Sequence, residues 1–217
     1  MKLRTVLFDF DGTLANTLPL TIHGMQSVFK TFDQRTIRED EVIAMFGPPE
    51  DGMISENFRH KDRIAEAIEC YFSIYTKEHQ DYVENNSDIL KLLQELKEQH
   101  IPVGVITGKS RRSYLLSEKA LGFQGLFSHV ITGDEAAAPK PDPQSILQTL
   151  ELFHADPASS IYIGDSNTDV LAGKAAGIYT AAVQWLPMSQ SSDFPAAPDY
   201  YWTDVNQFID LLKKQRP

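Results

Sequence analysis

Residues 3–8 are almost unbroken in apolar character. A short continuous run of this kind predicts a strand covered on both faces, as in a parallel sheet beneath helices. Further short apolar runs follow at residues 101–106, 130–132, 161–163 and 178–183. Between them the apolar positions recur at helical spacing. Ile89, Leu92, Leu93 and Leu96 share one face behind Ser87, which is expected to cap that helix. Residues 110–121, 143–153 and 168–176 predict further helices. Val205, Phe208, Ile209 and Leu212 form a last helical face, with Thr203 as its expected cap. Strands alternating with helices of these lengths predict an α/β fold built on a doubly wound parallel sheet.

Residues 15–85 break that alternation. They show no strand pattern but several helical ones, such as Ile64, Ile68, Phe72 and Tyr75, and the breaker Gly47-Pro48-Pro49 interrupts them. The expected organisation is a core of residues 1–14 and 86–217, with an all-helical insert at 15–85. Residues 187–198, rich in Pro, Ser and Ala, predict a surface loop before a final short strand.

The chain has 217 residues, 42% hydrophobic and 23% charged, which is ordinary for a globular protein. Its formal net charge of −10 argues against nucleic acid or an anionic membrane as a partner. No apolar run approaches the roughly 18 residues of a membrane span, and the first run is too short for a signal peptide. A cytoplasmic protein is expected. The single cysteine, Cys70, forms no internal disulfide and is expected to be packed. The six histidines are scattered without metal-like pairing, and no serine lies in a nucleophile elbow.

In such sheets ligands gather beyond the carboxyl ends of the strands. Asp9 and Asp11 follow the first apolar run, Thr107, Gly108, Lys109 and Ser110 the second, and Asp165 and Asp169 the fourth. Lys140 lies in "APKPDP" before a helix. Each piece alone has a structural reading, as a turn, a cap or a solvated lysine. Together, Asp9, Asp165 and Asp169 would repel one another unless a cation joined them. An all-oxygen donor set suits Mg²⁺. Thr107, the N–H groups after it and Lys140 suit the oxygens of a phosphate. Asp9 is then expected to attack phosphorus and carry an aspartyl-phosphate. Asp11 is expected to protonate the leaving group and later activate water.

"DFDGTL", "ITGK", "KPDP" and "GDSNTDVLAGKAAG" resemble, in order and spacing, the four signature motifs of the haloacid dehalogenase superfamily. The resemblance spans Asp9 to Gly177. It implies a Rossmann-like core with a cap, Asp9 as nucleophile, and Asp11 as acid/base whose backbone carbonyl touches the metal. It implies that Thr107, Gly108 and Lys140 hold the phosphoryl group. Asp165 would be a metal ligand and Asp169 a water-mediated ligand or support. The aspartate at 11 points to phosphate ester or anhydride cleavage. The chain looks similar to the phosphoglycolate phosphatase group, so a small phosphorylated metabolite is the expected partner. The "FGPPE" segment, with Phe46, Gly47, Pro48 and Pro49, also resembles that of a bacterial pyrophosphatase and is the candidate specificity loop. Gly108 stands where many such phosphatases have Asn or Ser. The readings carried beside a monoester phosphatase are a pyrophosphatase, a phosphomutase of the β-phosphoglucomutase type, and a regulatory switch phosphorylated on aspartate.

Overall fold

The computed structural model describes residues 2–215. Six strands, β1 (Thr5–Phe8), β2 (Val103–Ile106), β3 (His129–Ile131), β4 (Ser160–Gly164), β5 (Tyr179–Val183) and β6 (Tyr200–Trp202), form one sheet in the order β3-β2-β1-β4-β5-β6. Every pairing is parallel. The chain therefore builds outward from β1 on one side, then returns to place β4 on the other. The carboxyl ends of β1 and β4 flank this reversal, where doubly wound sheets open a crevice.

Period-2 alternation divides the core. Val6 and Phe8 join Val105, Ile161, Ile163, Ala181 and Val183 in a large buried cluster on one face. Leu7 faces the other way, with Ile106, Tyr162, Ile146 and Leu150. Helices α5 (Ser87–Glu98), α6 (Arg111–Leu121) and α9 (Val205–Lys213) share the first cluster, and α7 (Gln144–Leu152) and α8 (Asn167–Ala175) the second. Each fully buried Leu, Ile, Val or Phe side chain contributes about 1.5–3 kcal/mol relative to exposure.

The expected insert is all-helical: α1 (Leu18–Phe32), α2 (Glu39–Ile43), α3 (Glu50–Asn57) and α4 (Ile64–Tyr82). Helices α1 and α4 pack closely because Gly24 leaves room for an aromatic ring. A Cβ there would stand 2.7 Å from Tyr71 Cε2. Cys70 is half-buried on α4 and packs against the edge of that core.

Several boundaries differ from the sequence pattern by a residue or two. Strand β2 begins at Val103, paired with Val6, because Pro102 has no N–H to join the ladder. Asn86, not Ser87, caps α5: its side-chain oxygen accepts from Asp88 N at 2.9 Å and Ile89 N at 3.2 Å. Asp204, not Thr203, caps α9, because its carboxylate accepts from Asn206 N at 2.8 Å and the residue-203 side chain sits one position too early. Among the described residues no helix is long and apolar enough to cross a membrane.

Candidate active site

The carboxyl ends of β1 and β4 meet in a cavity of about 670 Å³. It is roofed by residues 46–50 of the insert, and Asp9, Asp11, Thr107, Gly108, Lys109 and Lys140 line its floor. Four separate strand-end segments therefore converge as the spacing implied.

Asp9 continues β1, its N–H bonded to Ile163 O at 2.9 Å. The chain then turns sharply: Phe10 O accepts from the N–H groups of Thr13, Leu14 and Ala15. Gly12 makes the turn possible with φ +75°. A Cβ at that position would lie 2.1 Å from Asp165 Oδ2, so the glycine also lets the turn cradle the Asp165 carboxylate.

Oxygen atoms of Asp9, Asp165 and Asp169 lie within 4.8 Å of one another, and all three residues are buried. Burial pushes Asp9 up to about 7. The Lys140 charge opposes that rise, and the Asp169 and Asp11 carboxylates add to it. Burial, with Asp9 and Asp169 beside it, also holds Asp165 well above the usual carboxylate range. Asp9 Oδ1 is buried without a hydrogen-bond donor, although Lys140 Nζ lies 3.0 Å away. That contact is an ion pair lacking hydrogen-bond alignment. Three crowded, buried carboxylates, with Asp9 and Asp165 resisting ionisation and Asp9 keeping an unsatisfied oxygen, fit a hard divalent cation. Asp9 and Asp165 could hold such an ion. The Asp11 carboxylate is not part of the trio.

Asp169 is fully engaged by protein donors. Its Oδ1 takes Lys140 Nζ at 2.6 Å and Tyr162 Oη at 3.2 Å. Its Oδ2 takes Ser166 N at 3.0 Å and Ser166 Oγ at 2.6 Å, closing a capping box at the start of α8. Of the two roles left open for it, these contacts fit the support, with Lys140 Nζ lying between Asp169 and Asp9.

Thr107 is buried and lines the cavity, its Oγ1 accepting from Lys109 N at 3.2 Å. Gly108 borders the cavity too. A side chain there would meet only Gly47 O, at 3.6 Å, so space alone does not require glycine. Phe46, Gly47, Pro48 and Pro49 all face the cavity, beside Leu18, Ile43 and Met53.

Three participants carried no predicted role of their own, Glu50 being expected only as the last residue of the candidate specificity loop. Lys109 was visible as a polar strand-end residue, yet it is 3% exposed and ion-paired to Asp11 and Glu50. Glu50 ends the FGPPE segment, where an acid in the first turn of a helix reads as a dipole partner. Gln190 lies in the stretch expected to be a surface loop. The stretch is a surface loop as expected, and its start reaches the site: Gln190 and Ser191 line the cavity, and Gln190 N donates to Asp165 Oδ2 at 2.6 Å.

The family model of the haloacid dehalogenase-like hydrolases matches residues 6–183. Pyrophosphatase PpaX of Bacillus mycoides is 29% identical over 216 residues, covering 99% of each chain. A haloacid dehalogenase-like family hydrolase from Streptococcus pneumoniae superposes with a TM-score of 0.75 at 25% identity, covering 96% of this chain and 98% of that one. A protein described as a predicted phosphoglycolate phosphatase, from Haemophilus somnus, shares the fold with a TM-score of 0.82 at 20% identity, covering 97% and 98%. With four signature segments meeting in one cavity and the family model matching most of its length, the chain belongs to the haloacid dehalogenase-like hydrolases.

Proposed function

We propose that the chain is a Mg²⁺-dependent phosphohydrolase that cleaves a small phosphate monoester through an aspartyl-phosphate on Asp9. The observation that carries this reading is that Asp9, Thr107 and Lys140 line one cavity while Asp9 also clusters with the buried carboxylates of Asp165 and Asp169.

A carboxylate oxygen of Asp9 forms a bond to phosphorus as the bond to the leaving oxygen breaks. Asp11 gives its proton to that oxygen, and the alcohol departs. Water then attacks the phosphorus of the aspartyl-phosphate and loses a proton to Asp11. Inorganic phosphate and free Asp9 result. Lys140 and Thr107 hold the phosphoryl oxygens throughout, and Asp169 keeps Lys140 in place. Mg²⁺, held by Asp9, Asp165 and the Asp11 carbonyl, would favour the ionised form of Asp9 and offset charge on the phosphoryl group. Residues 15–85 act as a cap that closes over the core and excludes water.

The lining charges bear on the substrate. Among the described residues, the cationic side chains facing the cavity are Lys109 and Lys140, and both are ion-paired to carboxylates. Leu18, Ile43, Phe46 and Met53 line the insert's side, with Glu56 nearby. This supports a leaving group without a second strongly anionic group. Pyrophosphate is the second reading, favoured by the PpaX relatives; it would need a further cation for its second phosphate.

The test is phosphate release from a panel of alkyl phosphates, phosphoglycolate and pyrophosphate. Neutral alkyl esters should lead, Asp9→Asn should abolish release, and EDTA should stop it until Mg²⁺ is restored. Faster turnover of pyrophosphate would install the second reading. Isomerisation of a sugar phosphate without release would show a mutase, and a long-lived phosphoprotein a switch.

A further inference from the structure

The proposed reaction leaves two buried ions unused. Glu50 and Lys109 are each 3% exposed. Lys109 Nζ sits 3.2 Å from Glu50 Oε1 and 3.1 Å from Asp11 Oδ1, with the Tyr75 ring centroid at 4.7 Å. The second Glu50 oxygen accepts from Ser110 N at 2.9 Å. Glu50 is the first residue of α3 in the insert, whereas Lys109, Ser110 and Asp11 lie at the sheet edge.

Burying two charges is costly, so such a pair adds little net stability. Fixing a geometry is the other use such a pair can serve. A lysine held by one carboxylate can pivot about its flexible stem; one held between two cannot. We propose that Glu50 is a positioning residue: through Lys109 it fixes the orientation of the Asp11 carboxyl. Because Glu50 comes from the helical insert, docking of that insert aligns the group that moves the proton. Closure and proton transfer are thereby coupled through one lysine.

The inference rests on the reading of Asp11 as the acid, and the experiment separates the two. An alkyl phosphate needs its leaving oxygen protonated, whereas p-nitrophenyl phosphate releases a stable anion without help. Glu50→Gln keeps an acceptor for Ser110 N and removes the charge from Lys109. Its loss in kcat/KM, which reports the step that expels the leaving group and not the later hydrolysis common to both esters, should be about tenfold or more greater with the alkyl ester than with the aryl ester, within the range of general acid catalysis. Glu50→Asp keeps the charge one methylene further back and should give an intermediate selectivity. It also serves if thermal unfolding shows Glu50→Gln to be misfolded. Equal losses on both esters would mean that Glu50 only fastens the insert, and the inference would fall. Asp11→Asn is run on the same pair. If it shows no preference for the aryl ester, the acid assignment itself has failed. If Asp11→Asn shows the preference and Glu50→Gln does not, only the role of Glu50 is lost.

Discussion

Replacing Gly12 by alanine tests the metal site without replacing any proposed ligand. Two costs are built in. The backbone holds φ +75° at this residue, which costs an L-residue about 1–2 kcal/mol. The new Cβ would also stand 2.1 Å from Asp165 Oδ2 and 2.6 Å from its Cγ. Asp165 has little room to retreat, since Gln190 N holds its Oδ2 at 2.6 Å and the residue is fully buried. The two costs separate with Gly122→Ala, where φ is +70° but nothing lies within 4 Å of a Cβ. Both variants should lose the backbone term, roughly 2–8 °C in Tm for a chain of this size. Only Gly12→Ala should also weaken Mg²⁺. Misplacing a group that orients a ligand typically costs about 10–100-fold in affinity. The assay is thermal unfolding across a MgCl₂ titration, in which bound ion stabilises by about 2.7 kcal/mol at a concentration of 100 Kd. The midpoint, taken as the MgCl₂ concentration that gives a set rise in Tm, should move up by at least tenfold for Gly12→Ala and stay at the wild-type value for Gly122→Ala. A wild-type midpoint in Gly12→Ala would refute the assignment of Asp165 to the cation.

Removal of Asp11 as Asp11→Asn should lower kcat for an alkyl phosphate by about 10²–10⁴-fold; turnover equal to wild type in a phosphate-release assay would exclude it as the acid. His79 is buried on α4, 3.0 Å from Ser117 Oγ, and burial together with the nearby Lys109 charge pulls it down to about 4. The unfolded chain takes up a proton on this histidine near pH 6.5 and the folded chain does not. Stability should therefore fall as pH drops from about 6.5 towards 4, by up to about 1.4 kcal/mol per unit from this group. Urea unfolding of His79→Gln should show a shallower loss over that window, and an unchanged slope would count against the assignment. Gly24→Ala should cost about 1–3 kcal/mol by overpacking against Tyr71, read as a lower urea midpoint; no change would show that α1 and α4 can separate freely.

The strands and the strand-end aspartates were legible because they combine local signals. A buried parallel strand must be apolar along its length, and a carboxylate at its end stands out against it, as Asp9 does after β1. The sheet order and the meeting of Asp9 with Asp165 follow from general rules about parallel sheets. Helix caps were less legible. Asn86-Ser87 and Thr203-Asp204 each offer two adjacent side chains of capping type, and the choice depends on which backbone is extended. The contact of Gln190 and Ser191 with Asp165 left no trace in composition, because both residues reach it through a backbone N–H. Glu50 and Lys109 were hidden for a related reason. A buried ion pair is a relation between residues 59 positions apart, and each partner alone reads as a surface charge.

The two lysines of the site share one arrangement. Lys140 lies between Asp9 and Asp169, and Lys109 between Asp11 and Glu50. In each case one carboxylate is assigned to the chemistry and the other only holds the lysine. Asp9 and Asp11 are two residues apart and would be hard to tell apart by charge if a single cation served both. Giving each its own lysine, braced from a different element, keeps their positions independent. Asp169 braces Lys140 from α8 of the core, so the nucleophile is set before substrate arrives. Glu50 braces Lys109 from the insert, so the proposed orientation of Asp11 depends on where the insert is docked.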